Sequence, residues 1–578
     1  MGLKITEKDL NSSVTFANSV INNMKRLETS LGWSDISVKH GTPSHGMYIS
    51  FAPEREAIKR GRDALVALKA SVQLMNTFCN QLSCERLEWR CSPDDYLSSY
   101  RSINGICNHI TSGTIGESFT AYTRLLYPVY LDNIHEIRRA VNKRPLPSAR
   151  LVSMSLVNHT ENLHDRLTLA VMLWGQFLEH DLSRPATSVM ERLHTEHSID
   201  CCRPEGKNLS PRYIHPFCSP VSVPADDKYY AEEGVDCMSY VRSIPAIRSD
   251  CSFGPSDQVN QATHYLDGSQ MYGSTIRKSN MLRSYVNGKL DVSSLNGKYY
   301  LPTTHIPEEH CQVDSPESPC FKSGDSRVNF QPQLTVMHTI WYREHNRIAE
   351  QLAALNTQWE DEILFQEARR IVIAEMQHIT YNEWISKVLA HKYVTKIERF
   401  GNYDADEDPS VSNSFATAAM RALKSLYDGN INHFGFDVLS MDIQRGRDHG
   451  LPSYVEYRSL CGFPKAQEFG ELSDVMSEEH ISALSKVYSS PKDVDLIIGG
   501  LMENPEEGSL LGPTFSCIIA DQFMRTKKGD RYFYTNENQP RPFAMSQLSE
   551  IKKVTLARIF CDNADNITMM QPNVFEKN

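Results

Sequence analysis

The chain has 578 residues, 40% hydrophobic and 23% charged, an ordinary balance for a folded protein and enough for one very large domain or several smaller ones. Its formal net charge of −11 argues against nucleic-acid binding, which needs a cationic surface to displace counterions. The sequence contains no run of eighteen apolar residues, so no stretch is expected to cross a membrane as a helix.

Taken in chain order, residues 1–85 read as a helical extension, because 54–79 places apolar and charged residues at helical spacing. The opening MGLKITEKDL lacks the apolar core of a signal peptide. Gly2 and Thr6 fit a myristoylation pattern, which we read as accidental, with the signal peptide missing from this version of the chain. Residues 91–156 are punctuated by Pro and Gly and read as loop-rich. Residues 185–255 hold Cys201, Cys202, Cys218, Cys237 and Cys251 and read as a disulfide-stapled surface region with little regular structure. Long helices are expected at 334–355, 360–389 and 412–427, and shorter ones at 481–488 and 514–524. Strand signals are few, so the fold class is mainly α.

The 14 cysteines, several in local pairs, point to disulfides and an oxidising compartment. Sequons at Asn11, Asn158, Asn208 and Asn566 agree with secretion. The expected pairs are Cys91–Cys107, Cys311–Cys320 and Cys461–Cys517, with Cys561 as the odd one because no cysteine follows it.

The stretch 169–184, LAVMLWGQFLEHDLSR, reads as a helix with an unusual polar face. Gln176, Glu179 and His180 sit at i, i+3 and i+4 and share one side. Asp181 points about 100° away around the helix. Buried polar groups need partners, so the cluster reads either as a ligand site with Asp181 aimed at a second one, or as a partly exposed helix end.

WGQFLEHD resembles the distal-helix motif of the animal haem peroxidases. Further stretches match in order: YRSINGICN at 100–108, LPSARLVS at 146–153, NQATHYLDGSQMYGS at 260–274, GDSRVNFQPQLTVMHTIWYREHNRIA at 324–349, IQRGRDHGLPSY at 443–454 and CIIADQFMRTKKGDRYFY at 517–534. The nearest flavour is the peroxinectin or chorion-peroxidase type. The resemblance implies one large helical domain over 86–578 with few short strands, preceded by an extension or pro-segment at 1–85. It also implies haem and calcium as cofactors.

By resemblance His180 is the distal acid–base that moves a proton between the oxygens of hydrogen peroxide, a role suited to a near-neutral pKa. Arg327 matches the catalytic arginine that stabilises charge as the O–O bond breaks. Gln176 matches a residue that binds distal water or halide. Arg421 and Arg458 match partners of the haem propionates. Glu179 stands where the family commonly has an ester-forming Asp, and Phe330 stands at a second ester position, where it cannot form one. The proximal pattern FATAAFRFGH reads here FATAAMRALK, which puts Lys424 at the iron-ligand position. A lysine binds iron only after losing a proton held with a reference pKa of about 10.4. Val455 replaces the Asn that orients the usual ligand. His433 is the nearest alternative histidine downstream.

Thr263, Tyr265, Asp267 and Ser269 alternate in THYLDGS and, with Asp181, match the family's calcium ligands. In an extended loop, period two places them on one side. Hydroxyl, carbonyl and carboxylate oxygens are what calcium prefers. Lys528, Gly529 and Asp530 form a KGD tripeptide of the adhesion type or an ordinary charged turn. Two functions therefore stand. One is a secreted peroxidase that uses hydrogen peroxide to oxidise phenolic, tyrosyl or halide donors. The other is a catalytically impaired homologue acting as an extracellular adhesion or scaffold protein with a cell-surface partner. The distal residues and the calcium set favour the first; Lys424, Val455 and Phe330 favour the second.

Overall fold

A computed structural model describes residues 5–577 apart from 35, 79–90, 158–163, 194, 249–252, 305–310, 312–318, 400, 427–436 and 568, with 76–78 and 424–426 described by backbone alone. Three helices open the chain: α1 (Glu7–Trp33), α2 (Pro43–Phe51) and α3 (Arg55–Phe78). Thr6 begins α1 with a reciprocal cap, its hydroxyl accepting from the Asp9 backbone while the Asp9 carboxylate accepts from the Thr6 backbone. α1 packs along α3, and α2 lies against the turn that carries Arg327.

Short α4 (Pro93–Leu97) and α5 (Ala149–Leu156) precede α6 (Ala170–Leu182), in which almost every side chain is buried. α7 (Ser269–Tyr272) and α8 (Ile276–Met281) follow. The long pair α9 (Pro332–Leu355) and α10 (Asp361–Ile379) packs together, and α9 also packs against α6. Trp174 of α6 and Trp341 of α9 bring their rings within 5.7 Å at the centre of this core. The remaining helices are α11 (Ile385–Val388), α12 (His391–Arg399), α13 (Val438–Asp448), α14 (Tyr454–Leu460), α15 (Glu478–Val487), α16 (Leu496–Met502), α17 (Pro513–Lys528), α18 (Met545–Ile551) and α19 (Leu556–Asn563). None is long and apolar enough to cross a membrane.

Strands are few and short, as expected. The largest sheet has three antiparallel strands, with Asp257–Asn260 between Thr120–Ala121 and Pro245–Ala246. Region 185–255 carries small ladders and two bridges, Cys201–Cys218 and Cys202–Cys237. The three pairs expected from sequence are also bridged, and Cys561 is a free thiol. Cys79, Cys84, Cys251, Asn158 and His433 lie outside the described residues.

Two helices expected to be continuous are not. The stretch 360–389 is interrupted by a wide π turn at Thr380–Trp384, where the Thr380 hydroxyl donates to the Met376 carbonyl at 2.7 Å. The stretch 412–427 is a π turn at Phe415–Ala419 followed by a 3-10 segment, Arg421–Leu426. The Met420 amide reaches back five residues to the Phe415 carbonyl at 3.0 Å. This widened turn lets Arg421 Nε donate to the Ala416 carbonyl at 2.9 Å and fixes where the guanidinium points.

Candidate functional site

α6 places its polar face as the i, i+3, i+4 spacing requires, and that face is fully enclosed. Glu179 is 0% and His180 1% exposed. A carboxylate so placed needs cations, and two reach it. Arg421 Nη2 donates to Glu179 Oε1 at 3.1 Å, and Arg327 Nη1 lies 3.6 Å from Glu179 Oε2. His180 Nε2 lies 3.5 Å from the same Oε2. Gln176 accepts from Gln331 Nε2 at 2.6 Å.

Arg327 is held on its other side by Asp325, through Nε at 3.0 Å and Nη2 at 2.7 Å, and by the Ser183 carbonyl at 2.8 Å. Burial alone would raise the Asp325 carboxyl; the guanidiniums of Arg327 and Arg184 overcome it and hold it well below the usual range. Arg421 likewise pairs with Asp442 at 2.9 Å. The cluster thus pairs opposite charges, the arrangement in which buried ions are tolerated, while Arg327 Nη1 is buried without a hydrogen-bond partner. The N-terminal helices help to close it. The Phe51 ring lies 4.0 Å from the Arg445 guanidinium and 5.8 Å from that of Arg421. Glu54 pairs with Arg184 at 2.7 Å and Lys278 at 3.0 Å. Sequence reading missed Asp325, Gln331, Asp442, Phe51 and Glu54. Asp325 and Gln331 had a signal, since both lie in the same motif as Arg327, two residues before it and four after it.

Segment 415–423 sits directly on α6. A Cβ added at Gly175 would lie 3.0 Å from Leu423 Cδ1 and 3.8 Å from Met420 Cε, so this glycine permits the close approach. Arg458 is not gathered into the cluster through its observed bonds, which run to Asp474 at 2.5 Å and the Pro464 carbonyl at 2.8 Å. Val455 is buried on α14. Phe330 is 43% exposed. Lys424 lies in the 3-10 segment, and its side chain is outside the described atoms.

A second site forms where Asp181 leaves α6 on its other side. Its carboxylate accepts from the Ser269 amide at 2.6 Å and the Gly268 amide at 3.1 Å. Thr263 donates to Asp267 Oδ1 at 2.7 Å. Residues 263–269 are bent and buried throughout, not extended with alternating faces as expected from sequence. Gly268, at φ +74°, turns the chain in the left-handed region so that Ser269 meets Asp181. The Tyr265 hydroxyl donates to the Ile115 carbonyl at 3.0 Å, which leaves the Tyr265 carbonyl as its available oxygen. Burial, and then the Asp267 charge, push the Asp181 carboxyl up; burial pushes Asp267 up against the pull of Arg369 and Arg101. Asp267 Oδ2 is buried without a hydrogen-bond partner. Two adjacent buried carboxylates with one orphaned oxygen, beside two hydroxyls and a carbonyl, form a donor set that fits a hard cation such as calcium. Among the described residues no group of three or more His, Cys, Asp or Glu is placed to hold a metal ion.

The chain matches the animal haem peroxidase family over residues 100–434 and again over 423–575. It belongs to that family. It is 34% identical to a peroxidase of Drosophila melanogaster, over 83% of this chain and 79% of the relative. It is 33% identical to the chorion peroxidase of the same organism, over 93% of this chain and 77% of the relative. That alignment runs to 633 positions, more than the 578 residues of this chain. The human peroxidasin homologue is 33% identical over 87% of this chain but only 39% of its own length. Among solved structures, peroxidase A of Dictyostelium discoideum superposes with a TM-score of 0.67 at 25% identity, covering 83% of this chain and all of its own. A fatty acid alpha-dioxygenase of Oryza sativa, at 15% identity and a TM-score of 0.62 over 87% of this chain and 90% of its own, shares the fold.

Family membership implies haem between the distal helix and the 415–423 segment. The residues as arranged do not fit it. A slot for a flat macrocycle would leave both walls accessible, yet Gln176, Glu179 and His180 on one wall and Phe415, Met420 and Leu423 on the other are all buried by protein. The Glu179–Arg421 pair and the packing of Leu423 on Gly175 join the two walls directly.

The KGD tripeptide is not displayed. Lys528 pairs with Glu407 at 2.7 Å, and buried Asp530 holds Arg101 at 2.5 Å.

Proposed function

We propose that this protein is an extracellular, calcium-holding member of the animal haem peroxidase family that does not turn over peroxide and acts through its folded surface as a scaffold or adhesion protein. The observation that carries this reading is the direct Glu179–Arg421 ion pair, which joins the two walls where family members would hold haem beside His180. A peroxidatic site needs an imidazole and a cation facing open space where peroxide can sit. Here Arg327 faces Asp325, Glu179 and the Ser183 carbonyl instead. Calcium, when bound, would neutralise Asp181 and Asp267 and tie α6 to the 263–269 loop. Secretion is supported by five disulfides among the described residues, by exposed sequons at Asn11, Asn208 and Asn566, and by the chorion relative.

The retained trio of Gln176, His180 and Arg327 favours a second reading, a haem peroxidase oxidising phenolic or halide donors with hydrogen peroxide. One experiment separates them: peroxide-dependent oxidation of guaiacol and of iodide by the purified protein, with elemental analysis for calcium. The first reading expects no turnover above a heat-inactivated control and one calcium per chain. Sustained turnover overturns it.

A further inference from the structure

We infer that this chain lacks an internal stretch of family sequence at the junction that follows Arg421, and that α6 and residues 415–423 have closed on each other in its place. The inference deepens the proposed function and rests on it. Two observations meet at this junction, and a third agrees with a loss of family sequence. First, the family pattern is matched through FATAA and Arg421 apart from Met420, then fails at three successive positions, Ala422, Leu423 and Lys424. A single loss after Arg421 explains those three, whereas separate substitutions require three events. Second, residues 423–434 match the family twice, as the end of one matched segment and the start of the next. Such an overlap arises when sequence that normally separates two parts of the family pattern is missing. Third, the chorion peroxidase alignment is longer than this chain, so the relative has residues with no counterpart here.

On this view Lys424 is not a substituted iron ligand but belongs to a later part of the family sequence. The structure gives the physical consequence. With no haem between them, the two walls would leave buried charge and apolar surface on each. Arg421 meets Glu179 at 3.1 Å, and Met420 and Leu423 cover the bare face of Gly175. The buried charges are thereby paired and the apolar surface is removed from water.

The test compares three forms of the full chain, each purified with hemin supplied. In one, the residues that the Drosophila chorion peroxidase carries at this junction are inserted after Arg421. In another, Lys424→His is combined with Val455→Asn. The expected result is no Soret band for the unmodified chain or the double substitution, and about one haem per chain for the insertion. Stoichiometric haem in the unmodified chain, or haem gained by the double substitution alone, overturns the inference. So does a folded insertion variant that takes up no haem. Where the insertion variant does not fold, a cycle of Glu179→Gln, Arg421→Gln and the double variant decides on the unmodified background. Non-additive melting shifts are expected for walls in direct contact, and additive shifts overturn the closure. Haem without turnover in the unmodified chain sinks this inference alone; haem with turnover sinks the proposed function as well.

Discussion

Arg421 and Glu179, 242 residues apart in sequence, meet at 3.1 Å with both side chains buried. The pair joins α6 to the turn at 415–423, and Asp442 of α13 completes it from the other side of the guanidinium. Removing one member of such a network strands its partners in a medium that solvates charge poorly. Arg421→Ala, which leaves Glu179 and Asp442 facing each other, is expected to destabilise the protein by about 3–5 kcal/mol. Urea unfolding measures this; a loss below about 1 kcal/mol means that water reaches the pair.

Calcium removal is expected to lower the melting temperature of the unmodified protein, because a ligand that binds only the folded state stabilises it by about 2.7 kcal/mol at a hundredfold excess over its dissociation constant. Asp267→Asn should melt at one temperature with and without chelator, since it weakens the site around the orphaned Oδ2. A chelator effect of equal size in both proteins places the metal elsewhere.

Acid should weaken the fold through two neutral histidines. Burial holds both His338 and His345 down to about 4, from an ordinary value of 6.5. The unfolded chain takes up these protons as pH falls below 6.5, while the folded chain refuses them until pH 4. Stability is therefore full above pH 6.5 and lost between 6.5 and 4, by about 3 kcal/mol for each residue. Urea midpoints at pH 7 and pH 4.5 give the slope. His345→Asn should lower stability at pH 7, because the Tyr272 hydroxyl and Gly288 carbonyl lose their partner, yet make the acid slope shallower. An unchanged slope assigns the acid sensitivity to other groups.

Glu383 works in the opposite direction. Burial raises its carboxyl to about 7 against partial compensation from the Leu556 backbone and Lys387. Between pH 4.5 and 7 the folded state keeps a proton that the unfolded chain releases, so stability declines as pH rises through that window. Glu383→Gln should therefore melt higher than the parent at pH 8 and together with it at pH 4. If the variant gains nothing at pH 8, the carboxylate is solvated.

The α6 cluster was legible because helical spacing alone places Gln176, Glu179 and His180 together and turns Asp181 away. The bridges Cys91–Cys107 and Cys311–Cys320 were legible as local cysteine pairs, and Cys461–Cys517 was expected with them. What periodicity could not show was the pair of π turns. Apolar spacing through 360–389 and 412–427 is that of a helix, and the interruptions arise from contacts made in three dimensions. Trp384 Nε1 reaches the Val171 carbonyl at 2.8 Å, and Arg421 reaches Glu179. The partners that neutralise the site were equally hidden, since Asp442 and Glu54 look like ordinary surface charges until the chain folds them inward. The 263–269 loop was singled out by its residue types but not by its geometry, because a bent, wholly buried segment has no alternating face.

The Phe51 contact makes the N-terminal helices part of the folding unit that contains α6. The Phe51 carbonyl accepts from the Thr187 amide at 3.0 Å, its ring covers Arg445, and Glu54 neutralises Arg184 just beyond α6. A protease cut between Phe51 and Arg55, followed by departure of the first two helices, would uncover one arginine and leave another without its carboxylate. Such a cut would produce a nicked but still associated molecule, its two pieces parting only under denaturant, so a maturation step at this boundary would be invisible to gel filtration and plain on a denaturing gel.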